Sequence, residues 1–141
     1  SDPAFAMLFQ PPEEDEAAAL VEAGNLLIWA PGGQPAGFAA LRNWDAPGGV
    51  FWIQALAVQT PGSGQGQPFL AALLAHLFAE RRAHRVGLDV TVDNAAARAL
   101  YARAGFQTEG TLRECWLRPD GAHVDCLMLS LLRREWNPRN A

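Results

Sequence analysis

Apolar positions along this chain recur at two different spacings, and the switch between them divides it into elements. Leu26 to Ala30, Ala36 to Trp44 and Val50 to Val58 are extended, apolar-rich runs. Pro31-Gly32-Gly33 separates the first two and Asp45-Ala46-Pro47-Gly48-Gly49 the second two, so the pattern predicts an antiparallel meander. From about Gln67 the spacing becomes helical: Phe69, Leu70, Leu73, Leu74, Leu77 and Phe78 form one stripe. Pro68 suits the first turn of that helix, where no N–H partner is lost. Arg81, Arg82 and His84 place positive charge at its end, as the helix dipole favours. Arg85 to Val90 returns to a strand. Gln107 to Leu117 and His123 to Leu132 read as a closing hairpin around Pro119-Asp120-Gly121. An earlier short helix, Glu13 to Ala23, follows Pro11-Pro12. The order α, βββ, α, β, α, ββ predicts an α/β sandwich on a mixed, mostly antiparallel sheet flanked by helices.

The segment between the Arg85 strand and the hairpin is the most specific. Asn94 can accept from the free N–H groups of a first helical turn, and Gly105 supplies the left-handed residue that ends the helix. Ala97, Leu100, Tyr101 and Ala104 then share a face, so Tyr101 points inward. It is the only tyrosine in the chain.

With 141 residues, half of them apolar, the chain can bury a core as one domain. Residues 1–6, before Met7, read as an expression scar, and 7–141 as the domain. The formal charge of −4 offers no basic surface for nucleic acid. All 11 cationic side chains are arginine, so no lysine is available as a nucleophile or Schiff base. No run is long and apolar enough for a membrane span, and no signal peptide is apparent. His76, His84 and His123 are scattered, without metal-ligand spacing. A cytoplasmic, metal-free protein is expected. In a regular hairpin Cys115 faces Val124 and Cys126 faces Arg113, which makes the sulfurs diagonal neighbours and a disulfide unfavoured.

Between the third strand and its helix lies Gly62-Ser63-Gly64-Gln65-Gly66-Gln67. Alternate glycines let the backbone approach a ligand, and a helix start aims free N–H groups at it. Together they make an anion site that suits a pyrophosphate. The same residues also read as a flexible connector. They are not a dinucleotide fingerprint or a P-loop, since the third glycine of the one and the Gly-Lys-Ser/Thr of the other are missing.

The pattern N-x-x-A-x-x-x-Y-x-x-x-G-F from Asn94 to Phe106 resembles the segment that closes the coenzyme A site in GCN5-related N-acetyltransferases (GNATs). Beside it, the loop is similar to that family's R/Q-x-x-G-x-G, with Gly64 and Gly66 as its two glycines. Gly110-Thr111-Leu112-Arg113-Glu114, Asp120 to Asp125, and Met128 to Leu132 followed by Glu135-Trp136 resemble the ribosomal-protein-alanine (RimJ/RimL-like) branch. The resemblance implies a GNAT-like sheet with a shortened N-terminal part. It implies acetyl-CoA as cosubstrate and direct acetyl transfer to a primary amine, on a protein N-terminus or a small molecule.

By the same resemblance Tyr101 is the general acid, and Asn94 helps hold the coenzyme arm. A thiol titrates near ~8.5 and a phenol near ~10, which places Tyr101 to protonate the departing thiolate. The strand ending at Ala57-Val58 offers backbone N–H groups for an oxyanion. Trp52 stands where some relatives place a glutamate base, and Gln54 cannot take a proton. Asp89 is therefore the carboxylate to act as base, with Glu109 behind it. Two departures bear on the cofactor: Pro61 replaces the usual Arg or Gln, and Pro68 lacks an N–H. They leave open a second reading, a non-catalytic acyl-CoA-binding or assembly domain. An exposed sheet edge further suggests a homodimer.

Overall fold

The computed structural model describes residues 25–33, 35–60 and 62–139. The leading residues 1–6, the expected Glu13–Ala23 helix and Pro61 lie outside them. Six strands form one sheet in the order β1-β2-β3-β4-β6-β5. They are β1 (Leu26–Trp29), β2 (Gly37–Asp45), β3 (Val50–Val58), β4 (Arg85–Thr91), β5 (Gln107–Leu117) and β6 (His123–Leu132). Helix α1 (Gly66–Ala75) follows β3, and α2 (Ala95–Arg103) follows β4. Only the β3–β4 contact is parallel, because α1 carries the chain across between them.

Both helices pack on one face of the sheet. Val86, Leu88 and Val90 of β4, with Leu129 and Leu131 of β6, meet Leu73, Leu74, Leu77 and Phe78 from the α1 stripe. Each fully buried side chain of this size stabilises the fold by about 1.5–3 kcal/mol. Trp29 stacks on Phe69 at 5.1 Å between centroids, which ties the edge strand β1 to the first turn of α1.

Beyond Ala75 the helix widens into a π turn, His76–Glu80, in which Arg81 N–H donates to His76 O at 3.0 Å. Arg133 braces the carbonyls left at that end: its Nε donates to Ala83 O at 2.9 Å and its Nη2 to Phe78 O at 2.5 Å.

Two bulges break the sheet's regularity. Leu41 pairs with Ile53 but Ala40 with Ala55, so Gln54 is an extra residue in β3. Leu112 pairs with Cys126 but Trp116 with Val124, so Arg113, Glu114 and Cys115 together oppose Asp125. Glu114 takes a left-handed conformation there (φ +50°), and its N–H donates to Asp125 Oδ1 at 2.7 Å. The regular hairpin expected from the sequence is thus replaced. Asp125 works within the strand pair, holding the bulge.

Candidate active site

The Gln54 bulge bends β3 away from β4, as an extra residue in one strand does. Pairing between them consists of Val50 with Arg85, Phe51 with Val86 and Trp52 with Gly87, and then stops. At the fork Trp52 lies so close that a Cβ on Gly87 would stand 2.8 Å from its ring. Past the fork, one side of β3 has no strand partner while the other continues along β2 to Gly37.

Alternation along β3 decides which backbone groups face that opening. Gln59 N–H donates to Ala36 O at 2.7 Å, so peptide groups alternate from there. Ala57 turns its N–H and carbonyl to β2, whereas Val58 and Leu56 turn theirs to the open side. Of the two oxyanion donors expected, Val58 is correctly placed. Ala57 is not, because its N–H belongs to the β2 ladder, and Leu56 takes its place.

The loop before α1 has the anticipated shape. Gly62 and Gly64 are both left-handed, with φ of +79° and +81°, a conformation that favours glycine. Ser63 Oγ donates to Thr60 O at 2.6 Å, which fixes the bend. Gln65 occupies the N-cap position without a side-chain capping bond, and its Oε1 is buried with no donor. Pro68 removes one donor, but Gly66 and Gln67 keep theirs in the unpaired first turn. Gly66 lies against α2: a Cβ there would touch Leu100 at 3.4 Å.

A cation missed by sequence reasoning stands beside this loop. Arg103 Nη1 approaches Gln67 Oε1 at 3.5 Å, from the last turn of α2 to the first turn of α1. Its signal in the sequence was its position two residues after Tyr101, which puts it on the flank of α2 that meets the loop.

Asn94 caps α2 as expected, its Oδ1 accepting from Ala97 N–H at 3.2 Å. That leaves the amide NH₂ as its group for a ligand. Tyr101 is buried and meets Phe106 edge-on at 5.7 Å. Burial, reinforced by the nearby charge of Asp89, pushes the Tyr101 phenol up to about 12. Asp89 lies two residues past the fork on β4. Loss of water around its carboxyl raises its pKa, with its backbone hydrogen bond opposing.

Glu109 is excluded as a supporting base. Both its carboxylate oxygens take hydrogen bonds from Arg85, which holds its pKa below the ordinary value. The cleft of about 310 Å³ lined by Ala99, Ala102, Leu127 and Leu129 lies on the β5–β6 side of α2. None of the groups named above lines it.

The acetyltransferase (GNAT) family matches residues 2–106, most of the chain. This chain belongs to that family. YdaF of Bacillus subtilis, whose name assigns it provisionally to ribosomal N-acetylation, is 32% identical over 120 residues. The match takes in 82% of this chain and 61% of YdaF, so the chain spans about three fifths of that relative. RimJ of Mycobacterium smegmatis, solved in complex with CoA-disulfide, is 26% identical with a TM-score of 0.72. It is matched over 89% of this chain and 63% of its own. A spermidine N-acetyltransferase from Vibrio cholerae, solved with CoA and spermine, shares the fold at a TM-score of 0.79 and 18% identity, over 94% of this chain and 84% of its own. The six-stranded GNAT sheet and the RimJ/RimL-like kinship expected from the motifs are both present.

Proposed function

We propose that the chain transfers an acetyl group from acetyl-CoA directly to a primary amine. The observation that carries this reading is the fork after Trp52 and Gly87, which leaves the Val58 N–H free on a strand edge beyond the last pair. Asp89 lies past the same fork, and its charge reaches the Tyr101 phenol. The residues fit the cosubstrate. The left-handed glycines, the two free N–H groups of α1 and Arg103 suit a pyrophosphate, while the unpaired edge of β3 and the orphaned Gln65 Oε1 suit an arm rich in amides. Acetyl-CoA supplies an activated acyl group and a thiolate leaving group.

Within this frame Val58 N–H stabilises negative charge on the acyl oxygen, the largest electrostatic contribution available here. Asp89, its basicity increased by desolvation, takes the proton from the attacking amine directly or through water. Tyr101 donates a hydrogen bond to the departing sulfur. With the phenol near 12 and a free thiol near ~8.5, complete proton transfer runs uphill by roughly 5 kcal/mol. Burial of the sulfur narrows that gap, so Tyr101 stabilises the leaving group chiefly by hydrogen bonding. No side chain is asked to carry the acetyl group.

The acceptor belongs to the amine class of the relatives, a protein N-terminus or a polyamine-like molecule. A homodimer in the cytoplasm completes the reading, with β5 the edge it would cover: that strand is exposed almost throughout, Leu117 at 61%. Calorimetric titration with acetyl-CoA, followed by turnover against a panel of amines, tests the whole. Micromolar binding with turnover is expected. Tyr101→Phe should lower turnover about 100-fold while leaving acetyl-CoA binding intact. Binding without turnover of any amine would favour a non-catalytic acyl-CoA-binding domain, and unchanged turnover in Tyr101→Phe would remove the tyrosine from the reaction.

A further inference from the structure

We propose that Cys115 and Cys126 form a reactive dithiol, a site of reversible oxidation on the β5–β6 hairpin that is separate from acetyl transfer. The argument starts from the bulge. A regular hairpin sets the two cysteines diagonally, each opposite a different residue. Here Arg113, Glu114 and Cys115 share a single partner, Asp125, whose carboxylate pins the Glu114 N–H at 2.7 Å. Drawing three residues into one position carries Cys115 toward the neighbour of Asp125, which is Cys126. The two thiols are hydrogen-bonded to each other, and both are reduced.

Their surroundings differ. Cys115 is exposed, whereas Cys126 is buried opposite Thr91, at the C-terminal end of β4. The exposed thiol can meet a reagent, and the buried one can be reached only by its neighbour. That is the division between an attacking and a resolving cysteine. Burial and the neighbouring Cys115 push the Cys126 thiol up to about 12, which makes resolution the slower step.

The oxidant is a small-molecule disulfide of the glutathione type. The Cys115 thiolate attacks one sulfur of the reagent, whose S–S bond breaks and releases one thiol. The Cys126 thiolate then attacks the Cys115 sulfur, forming the internal S–S bond and releasing the second thiol. Two protein thiols lose two electrons and two protons, and the reagent becomes two thiols. Left-handed backbone at Glu114 gives the bulge its reach without moving β6.

The test is intact-mass analysis of the full chain after incubation with oxidised glutathione. The wild type is expected to lose two hydrogens and to yield a peptide joining Cys115 to Cys126, reversed by dithiothreitol. Cys126→Ser should stop at one glutathione adduct on Cys115, and Cys115→Ser should gain no adduct. A wild type that keeps the adduct without cross-linking, or that stays fully reduced where Cys126→Ser reacts, would overturn the proposal. Should Cys126→Ser fail to fold, phenylarsine oxide provides an independent measurement on unmodified protein, because arsenic(III) needs both sulfurs. One arsenical bound per native chain is expected, and none would overturn the pairing.

Discussion

The two sides of β4 are built differently from the same seven residues. Toward β6 every residue from Arg85 to Thr91 has a partner, and the ladder runs unbroken. Toward β3 only Arg85, Val86 and Gly87 do. The closed side holds Val86, Leu88 and Val90 in the core with Leu129 and Leu131. The open side leaves backbone donors and an acidic side chain without strand partners, a costly arrangement unless something else satisfies them. A sheet of this kind binds where its own hydrogen bonding is interrupted. Here one inserted residue, Gln54, is the interruption.

The sharpest way to break this contrast uses two neighbouring prolines. Val58→Pro removes an N–H that faces the opening, whereas Ala57→Pro removes one that belongs to β2. Val58→Pro should fold and bind yet lose about 100- to 1,000-fold in kcat, the usual consequence of deleting an oxyanion donor. Ala57→Pro should instead lower the thermal midpoint and give little folded protein. Circular dichroism melts beside acetylation rates separate the two, and equal behaviour would show that the alternation along β3 is misassigned.

The closed side was readable from the sequence and the open side only in part. The bounds of β3, β5 and β6 follow directly from apolar alternation and turn residues, and agree residue for residue. The α1 stripe and the Asn94 cap were equally plain, because capping and helical periodicity are local. Neither bulge was visible. Val50 to Val58 alternates without a break, and an inserted residue matters only through its pairing with β2. The Arg103–Gln67 approach and the Asp89–Tyr101 coupling also escaped, since each joins side chains from different elements. Glu109 was misjudged for the same reason: its partner, Arg85, lies 24 residues away in the chain.

A milder change sharpens the comparison at Asp89, which lies past the fork. Its folded pKa is raised, so it acts as a base only above that value, and the acid limb of kcat/KM should lie above the ordinary carboxylate range near ~3.9. Asp89→Asn should abolish that limb and lower kcat. The sign for stability is opposite to that of an ion-paired acid. A raised folded pKa means the charged form is disfavoured on folding above the unfolded pKa, so stability is gained as pH falls. Asp89→Asn should therefore melt no lower than the wild type at neutral pH. Because the chain has a single tyrosine, its ultraviolet titration reports Tyr101 alone. Removing the Asp89 charge should bring that midpoint down from about 12 without reaching ~10, since burial, the larger cause, remains. An unchanged midpoint would show that the two groups do not sense each other.

The smallest expected effect concerns the mouth of the opening. Pro61 and Pro68 both reduce what the loop offers to phosphate, and Arg103 is the cation that approaches the first turn of α1. If it compensates, Arg103→Ala should weaken acetyl-CoA binding by roughly threefold to tenfold with kcat unchanged at saturation, the range for a solvent-screened charge-assisted hydrogen bond. The discriminating observation is the salt dependence of the affinity. An arginine that meets phosphate makes binding fall as ionic strength rises, so the variant should show a shallower slope than the wild type. Equal slopes with equal affinities would leave the backbone N–H groups of Gly66 and Gln67 as the whole phosphate site, and Arg103 as no more than a brace between α2 and Gln67.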